Sequence, residues 1–216
     1  MRRIIDLSHQ VEHGMTTYPG LPGPVISDHL SRSASRDRFA PGTEFQIGAI
    51  TMVANTGTYL DAPFHRFATG ADLAGLDLSR LVDLDGVVVD APGRAVGPSA
   101  FADLDVTGRA VLVRTGWDRH WRTPRYADPE HPFRTAAAAA LLASRGAAVV
   151  GVDTVNIDDM ADATRPAHTA LLGAGVPIVE HLRGLDQLPP DGFRFHAAPV
   201  AVVGMGTFPV RAYAVV

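Results

Sequence analysis

At 216 residues, with 46% hydrophobic and 19% charged residues, the chain can bury a substantial core in one large domain or at most two small ones. Its net charge of −4 and its mixed charge pattern give no basic stripe for nucleic acid, and no apolar run reaches the ~18 residues of a membrane span. There is no cysteine and no lysine, all 19 basic residues being arginine, so disulfides, thiolate metal sites, iron–sulfur clusters, Schiff bases and P-loop lysines are excluded.

The start, "MRRIIDLSHQVEHGM", has no long apolar stretch and reads as the first strand of a mature, cytoplasmic protein, with Arg3 to His9 as the strand. From Gln10 to Pro41 glycines and prolines break any period, which predicts an irregular arm or lid. Glu44 to Ala54 is expected to be a strand. Leu81 to Pro92 and Arg109 to Trp117 contain near-continuous apolar runs, as in strands buried on both faces. "PFRTAAAAALLASRG", Pro132 to Gly146, is the clearest helix, with proline in its first turn and Arg145-Gly146 as its stop. A buried strand, Ala147 to Thr154, follows, and the helix-then-strand pattern recurs from His168 to Leu182. The carboxyl end reads as two strands around a Gly-rich turn. These elements make a single α/β domain over residues 1–216, with a mixed sheet, few helices and no internal repeat.

Chemistry concentrates in "NTGTYLDAPFHRF", Asn55 to Phe67. Pro63 fixes its own φ and drives Ala62 extended, so the segment is expected to run as a strand. One face would then carry Asn55, Gly57, Tyr59, Asp61, Pro63 and His65, a polar row unlike a core strand. The alternative is a turn in which Asp61 caps backbone amides. His168 opens the second helix, and Glu180 ends the strand "VPIVE", where α/β sites form; its alternative is an ion pair with Arg183. Asp61, His168 and Glu180 together would suit a zinc- or manganese-type ion. Two close carboxylates need a cation, and without lysine it must be a metal or an arginine. No G-x-S-x-G elbow or G-x-G-x-x-G fingerprint occurs.

The stretch 55–65 resembles the H-x-G-T-H-x-D-x-P-x-H signature of the metal-dependent cyclase/hydrolase family, which includes bacterial kynurenine formamidase, isatin hydrolase and cyclases of polyketide clusters. "DLSHQVEHGMTTYPGLPGP", "VLVRTGW", "GVDTVNID", "HTALLGAGVPIVEHLRGLDQL" and "FPVRAYAV" resemble its other blocks in order, so the likeness covers almost the whole chain. It implies a swivelling β/β/α domain, assembled as a homodimer or larger, whose amino-terminal segment reaches toward the site or a neighbouring subunit. Here that segment is the arm at about 10–41, with Tyr18 and Phe39 as aromatic walls for substrate. The resemblance implies a metal at Asp61, His168 and Glu180, one per chain, and His65 as an acid–base group. The two motif histidines are replaced by Asn55 and Tyr59, so one metal position is kept and one dismantled. A phenol with an ordinary pKa near 10 is a poor ligand at neutral pH. Asn55 could still offer a weak carbonyl oxygen to a metal, and either residue could instead hydrogen-bond a substrate carbonyl or oxyanion.

Three readings follow. The first is a metal-dependent hydrolase or cyclase acting on a small amide, lactone or related carbonyl compound. The second is a metal-free isomerase or lyase using His65 and Tyr59. The third is a member that binds a small molecule without turning it over. None calls for nucleic acid or membrane.

Overall fold

The computed structural model describes residues 2–216. Thirteen strands follow one another: β1 (Ile4–Asp6), β2 (Val25–Leu30), β3 (Ile47–Thr51), β4 (Tyr59–Asp61), β5 (Leu84–Asp90), β6 (Ala95–Val96), β7 (Ala110–Arg114), β8 (Phe133–Arg134), β9 (Val149–Val152), β10 (Ile178–Glu180), β11 (Asp191–His196), β12 (Thr207–Pro209) and β13 (Tyr213–Val215). Three α-helices join them: α1 (Arg32–Ser35), α2 (Ala136–Ser144) and α3 (Pro166–Gly173). Nine strands form one mixed sheet in the order β1-β13-β11-β5-β7-β9-β10-β4-β12. Its centre, β5-β7-β9-β10, is parallel, and antiparallel strands extend both ends.

The valine-rich runs fill the parallel centre because both of its faces are covered. Along β7, Val111 and Val113 pack with α2 and α3 through Ala138, Leu142 and Leu171. Ala110 and Leu112 turn to the other side, against Leu182 and Phe193. Period 2 along the strand thus divides one sequence between two cores. The fold is α/β, with a mixed sheet and few helices, as expected.

Several boundaries differ from the sequence expectation. The first helix of the alanine-rich stretch starts at Ala136, not Pro132, because Thr135 caps it through an Oγ1 bond from the Ala138 amide (3.2 Å), while Phe133–Arg134 pairs with β6. The carboxyl end holds three strands, β11, β12 and β13, rather than two. The 10–41 arm is more ordered than its composition suggests. It contains β2, which pairs with β3 as a separate antiparallel ribbon with Val25, Ile26, Ile47 and Ile50 exposed. Among the described residues no helix is long and apolar enough to cross a membrane.

Candidate active site

Strand β4 lies between β10 and β12, and register sets what meets across it. Tyr59 stands opposite Glu180, and Asp61 opposite both Ile178 and Thr207. Cross-strand partners share a face, so Tyr59, Asp61, Glu180 and Thr207 converge on one side of the sheet. Helix α3 covers that side and supplies His168. The strand does not run through residues 55–65 as expected. Gly57 takes a left-handed φ of +67° and donates its N–H to Thr17 Oγ1 (2.9 Å), which ends the extended stretch before Tyr59. Ala62 is extended, but Pro63–His65 closes a 3-10 turn through a His65 N–H to Ala62 carbonyl bond (2.9 Å). A proline suits the first position of such a turn, which lifts His65 out of the sheet to the cavity edge.

Asp61 is fully buried. Its Oδ1 accepts the Thr207 hydroxyl. Its Oδ2 has no hydrogen-bond partner among the described residues. His168 Nε2 lies 3.6 Å from that oxygen, too far for a hydrogen bond, and 3.8 Å from Glu180 Oε1. His168 Nδ1 bonds Asp158 Oδ2 at 2.6 Å, and Asp158 also accepts the Ala167 and His168 amides at 2.6 and 3.1 Å, so one carboxylate caps α3 and orients the imidazole. If His168 is neutral, Nδ1 donates to Asp158 and Nε2 turns its lone pair toward two carboxylates. Three acceptors then face one point, and only a cation or a proton reconciles them. Without a metal the proton does: burial opposes it, but the Asp158 hydrogen bond and the charges of Glu180 and Asp61 raise His168 to about 10. Burial pushes Asp61 up too, yet His168, His65 and Thr207 outweigh it and hold the carboxyl low.

Thr207 spends its proton on Asp61, so its oxygen accepts from His65 Nδ1–H at 2.8 Å. His65 Nε2 therefore carries the free lone pair, on a side chain 36% exposed. His65, His168 and Asp61 offer ligand atoms all within 4.8 Å of one another, a possible Asp–His–His metal site.

Glu180 lies beside the site with hydrogen bonds that its sequence did not indicate. It is buried beside His168, but Oε1 accepts the Ile157 amide and Oε2 the Tyr59 hydroxyl, both at 2.7 Å. Its partners are these, not Arg183. Burial raises its pKa to about 7. Burial, with the charges of Glu180 and Asp61, also keeps the Tyr59 phenol protonated far above its usual range, so Tyr59 is a neutral donor to Glu180. Asn55 lines the same cavity. The expected roles of Tyr59 and Asn55 toward substrate thus meet a competing bond: the phenol proton is already placed on Glu180.

Three further residues escaped the sequence reading. The His181 ring touches two tyrosines, with Nδ1 2.8 Å from Tyr126 Oη and Nε2 3.3 Å from Tyr59 Oη. Since Tyr59 donates to Glu180, Nε2–H donates to Tyr59 and Nδ1 accepts from Tyr126. Burial holds His181 neutral, with a pKa near 3. Its backbone is left-handed, φ +59°, pinned by an N–H to Thr154 carbonyl bond (3.3 Å) and a Thr58 Oγ1 bond to its carbonyl (2.6 Å). His181, Tyr126 and Asp158 carry no local spacing that marks them.

These groups open on a cavity of about 400 Å³ lined by Tyr18, Leu21, Asn55, His65, Arg66 and Arg165, with Tyr59, His168 and Glu180 at its floor. Of the two expected aromatic walls, Tyr18 is among the lining residues and Phe39 is not: Phe39 is exposed and packs edge-on against Phe45 with centroids 5.1 Å apart.

The sequence model of a family described as "Putative cyclase" matches residues 5–159. A kynurenine formamidase of Geobacillus thermodenitrificans is 29% identical over 210 residues, 96% of this chain and 95% of that one. Isatin hydrolase A of Labrenzia aggregata, solved with benzyl benzoate, superposes with a TM-score of 0.84 at 25% identity, over 100% of this chain and 94% of the other. A structure described as a potential metal-dependent hydrolase with cyclase activity gives 0.81 at 26% identity, covering 100% and 98%.

Proposed function

The chain belongs to the cyclase family, and on that premise we propose that it is a metal-dependent hydrolase cleaving the C–N bond of a small amide, or a related bond beside a carbonyl. The observation that carries this is the buried Asp61 Oδ2, which lacks a hydrogen-bond partner and faces His168 Nε2 at 3.6 Å, with His65 at the same cavity edge. Asp61, His168 and Glu180 would hold one divalent ion, leaving His65 at the cavity edge for proton transfer. Zinc or manganese suits one or two carboxylates with imidazole. Bound there, the ion would polarise a carbonyl or lower the pKa of a water.

The rest belongs to the side chains. Asp158 fixes the His168 ring. Thr207 ties His65 to Asp61 and leaves Nε2 able to take a proton from water and return it to the leaving nitrogen. Tyr18 and Leu21 give the substrate body an apolar wall. The metal-free reading keeps one observation in its favour, that a proton on His168 can fill the same point.

Native mass spectrometry before and after a chelator, with hydrolysis of formanilide as readout, separates them. The hydrolase reading expects about one ion per chain, activity lost with it, and a loss of roughly 10²–10⁴-fold in kcat in His65→Ala. Full activity in metal-free protein would sink it. A homodimer or larger assembly is part of the proposal, supported by the exposed apolar ribbon of β2 and β3 and tested by sedimentation. A cytoplasmic location is checked by cell fractionation.

A further inference from the structure

Two guanidinium groups stand in the cavity wall above the buried carboxylates. Arg66 directly follows His65, and Arg165 is the residue from which α3 starts. Neither has a carboxylate partner among the described residues. Arg66 donates Nε to Thr169 Oγ1 (3.3 Å), with its guanidinium 5.3 Å from the Phe67 ring centre. Arg165 donates Nη1 to the Asp159 carbonyl (3.0 Å). Elsewhere, Arg36, Arg94, Arg114, Arg122, Arg194 and Arg211 each hold an acidic side chain. Asp162 feels the charge of Arg165, but it lies beyond ion-pair distance and accepts the Thr164 amide (2.9 Å) and hydroxyl (2.6 Å) instead. Arg165 also holds a left-handed backbone, φ +49°, a conformation unfavourable for a non-glycine residue.

The cavity is therefore polar along its depth. Its floor carries Tyr59, His168 and Glu180, with the carboxylates of Asp61 and Asp158 beside His168; its wall carries two cations without a carboxylate partner. An anionic group on the ligand is attracted by the arginines, whose planar forks match a carboxylate. A volume of about 400 Å³ suits a single ring with short substituents.

We propose that Arg66 and Arg165 are specificity residues that select substrates bearing a carboxylate on the same body as the scissile carbonyl, so that the carboxylate docks at the wall and the carbonyl is turned to the floor. The substrate class is small, preferably aromatic, amides carrying a free carboxylate. The inference rests on the hydrolase reading for the reaction but not for the binding.

Two tests keep these apart. Calorimetry compares 2-aminobenzoate with 2-aminobenzamide, matched rings that differ in charge and need no turnover. The wild-type protein is expected to bind the carboxylate about tenfold more tightly or better, with the preference shrinking at high salt. The Arg66→Gln/Arg165→Gln double variant should lose that preference and keep its affinity for the amide. Arg66→Lys/Arg165→Lys should restore part of it. Equal affinities in the wild type, no measurable binding of either ring at millimolar concentration, or a preference that survives in the double Gln variant would each overturn the proposal. Hydrolysis of 2-formamidobenzoate against formanilide is read separately. Binding preference with neither formamide cleaved would remove the hydrolase reading and leave the specificity assignment intact.

Discussion

Tyr59→Phe probes the competition for Glu180. The phenol donates to Glu180 Oε2 at 2.7 Å and accepts from His181 Nε2–H at 3.3 Å, all within a fully buried cluster. Above about pH 7, where Glu180 is ionised, removing the hydroxyl deletes a bond to a charged acceptor, worth about 1.5–3 kcal/mol, and leaves the His181 N–H buried without an acceptor, a further ~1–3 kcal/mol. Ring packing is retained, so the loss without metal should be roughly 2.5–6 kcal/mol. For a chain of this length that lowers Tm by about 5–24 °C, at ~2–4 °C per kcal/mol. Metal changes the sign. Glu180 no longer has to give up a phenol to turn toward an ion beside Asp61 and His168. The hydrogen bond that wild type must break to bind metal then becomes a gain of ~10–100-fold in affinity. Thermal unfolding in chelator and in excess zinc or manganese measures the first effect, and competition with a chromophoric chelator the second. A variant that unfolds within ~2 °C of wild type in chelator, and binds metal no more tightly, would refute the idea that the phenol restrains Glu180.

Other outcomes follow from the same geometry. Asp158→Asn, which weakens the brace on His168 Nδ1, should reduce metal affinity by about 10–100-fold, measured by the same chelator competition. Gly206→Ala should impair turnover and lower Tm, since a Cβ there collides with the backbone N and Cα of His65; proton NMR of the imidazole resonances would show the displaced ring. Asp153→Ala should cost about 3–5 kcal/mol in urea unfolding. It strips the acceptor from the Thr115 amide and hydroxyl and the Gly116 amide, and removes a countercharge from the buried Arg134.

What could be read in advance was whatever repeats locally. The apolar runs of β5, β7 and β9 are legible because a strand covered on both faces needs no polar alternation. Asp61 and His65 stand out because a carboxylate and an imidazole flank a proline four residues apart. Glu180 was placed at a strand end beside the site, yet its hydrogen bonds were not foreseen, because they depend on Tyr59 being its cross-strand partner. His181 and Tyr126 lie 55 positions apart in sequence and meet only through the packing beside β4 and β10. The 3-10 turn at Pro63 was misread as strand because proline excludes helix interiors but suits first turns. Phe39 was assigned to the site because the arm's resemblance and its aromatic ring suggested a wall, but in this chain it packs on Phe45 and does not line the cavity.

Strand β12 has an outcome for synthesis. Thr207, which wires Asp61 to His65, sits on the outermost strand of the sheet and is made 146 residues after Asp61. On a ribosome the polar wall at β4 would emerge long before its hydroxyl partner, with Asp61 still open to water along an unpaired edge. The site is thus closed last, by the arrival of β12. In the finished protein that peripheral strand is a natural place for fraying, and hydrogen exchange at Phe208 would report when the site comes apart ahead of the rest of the sheet.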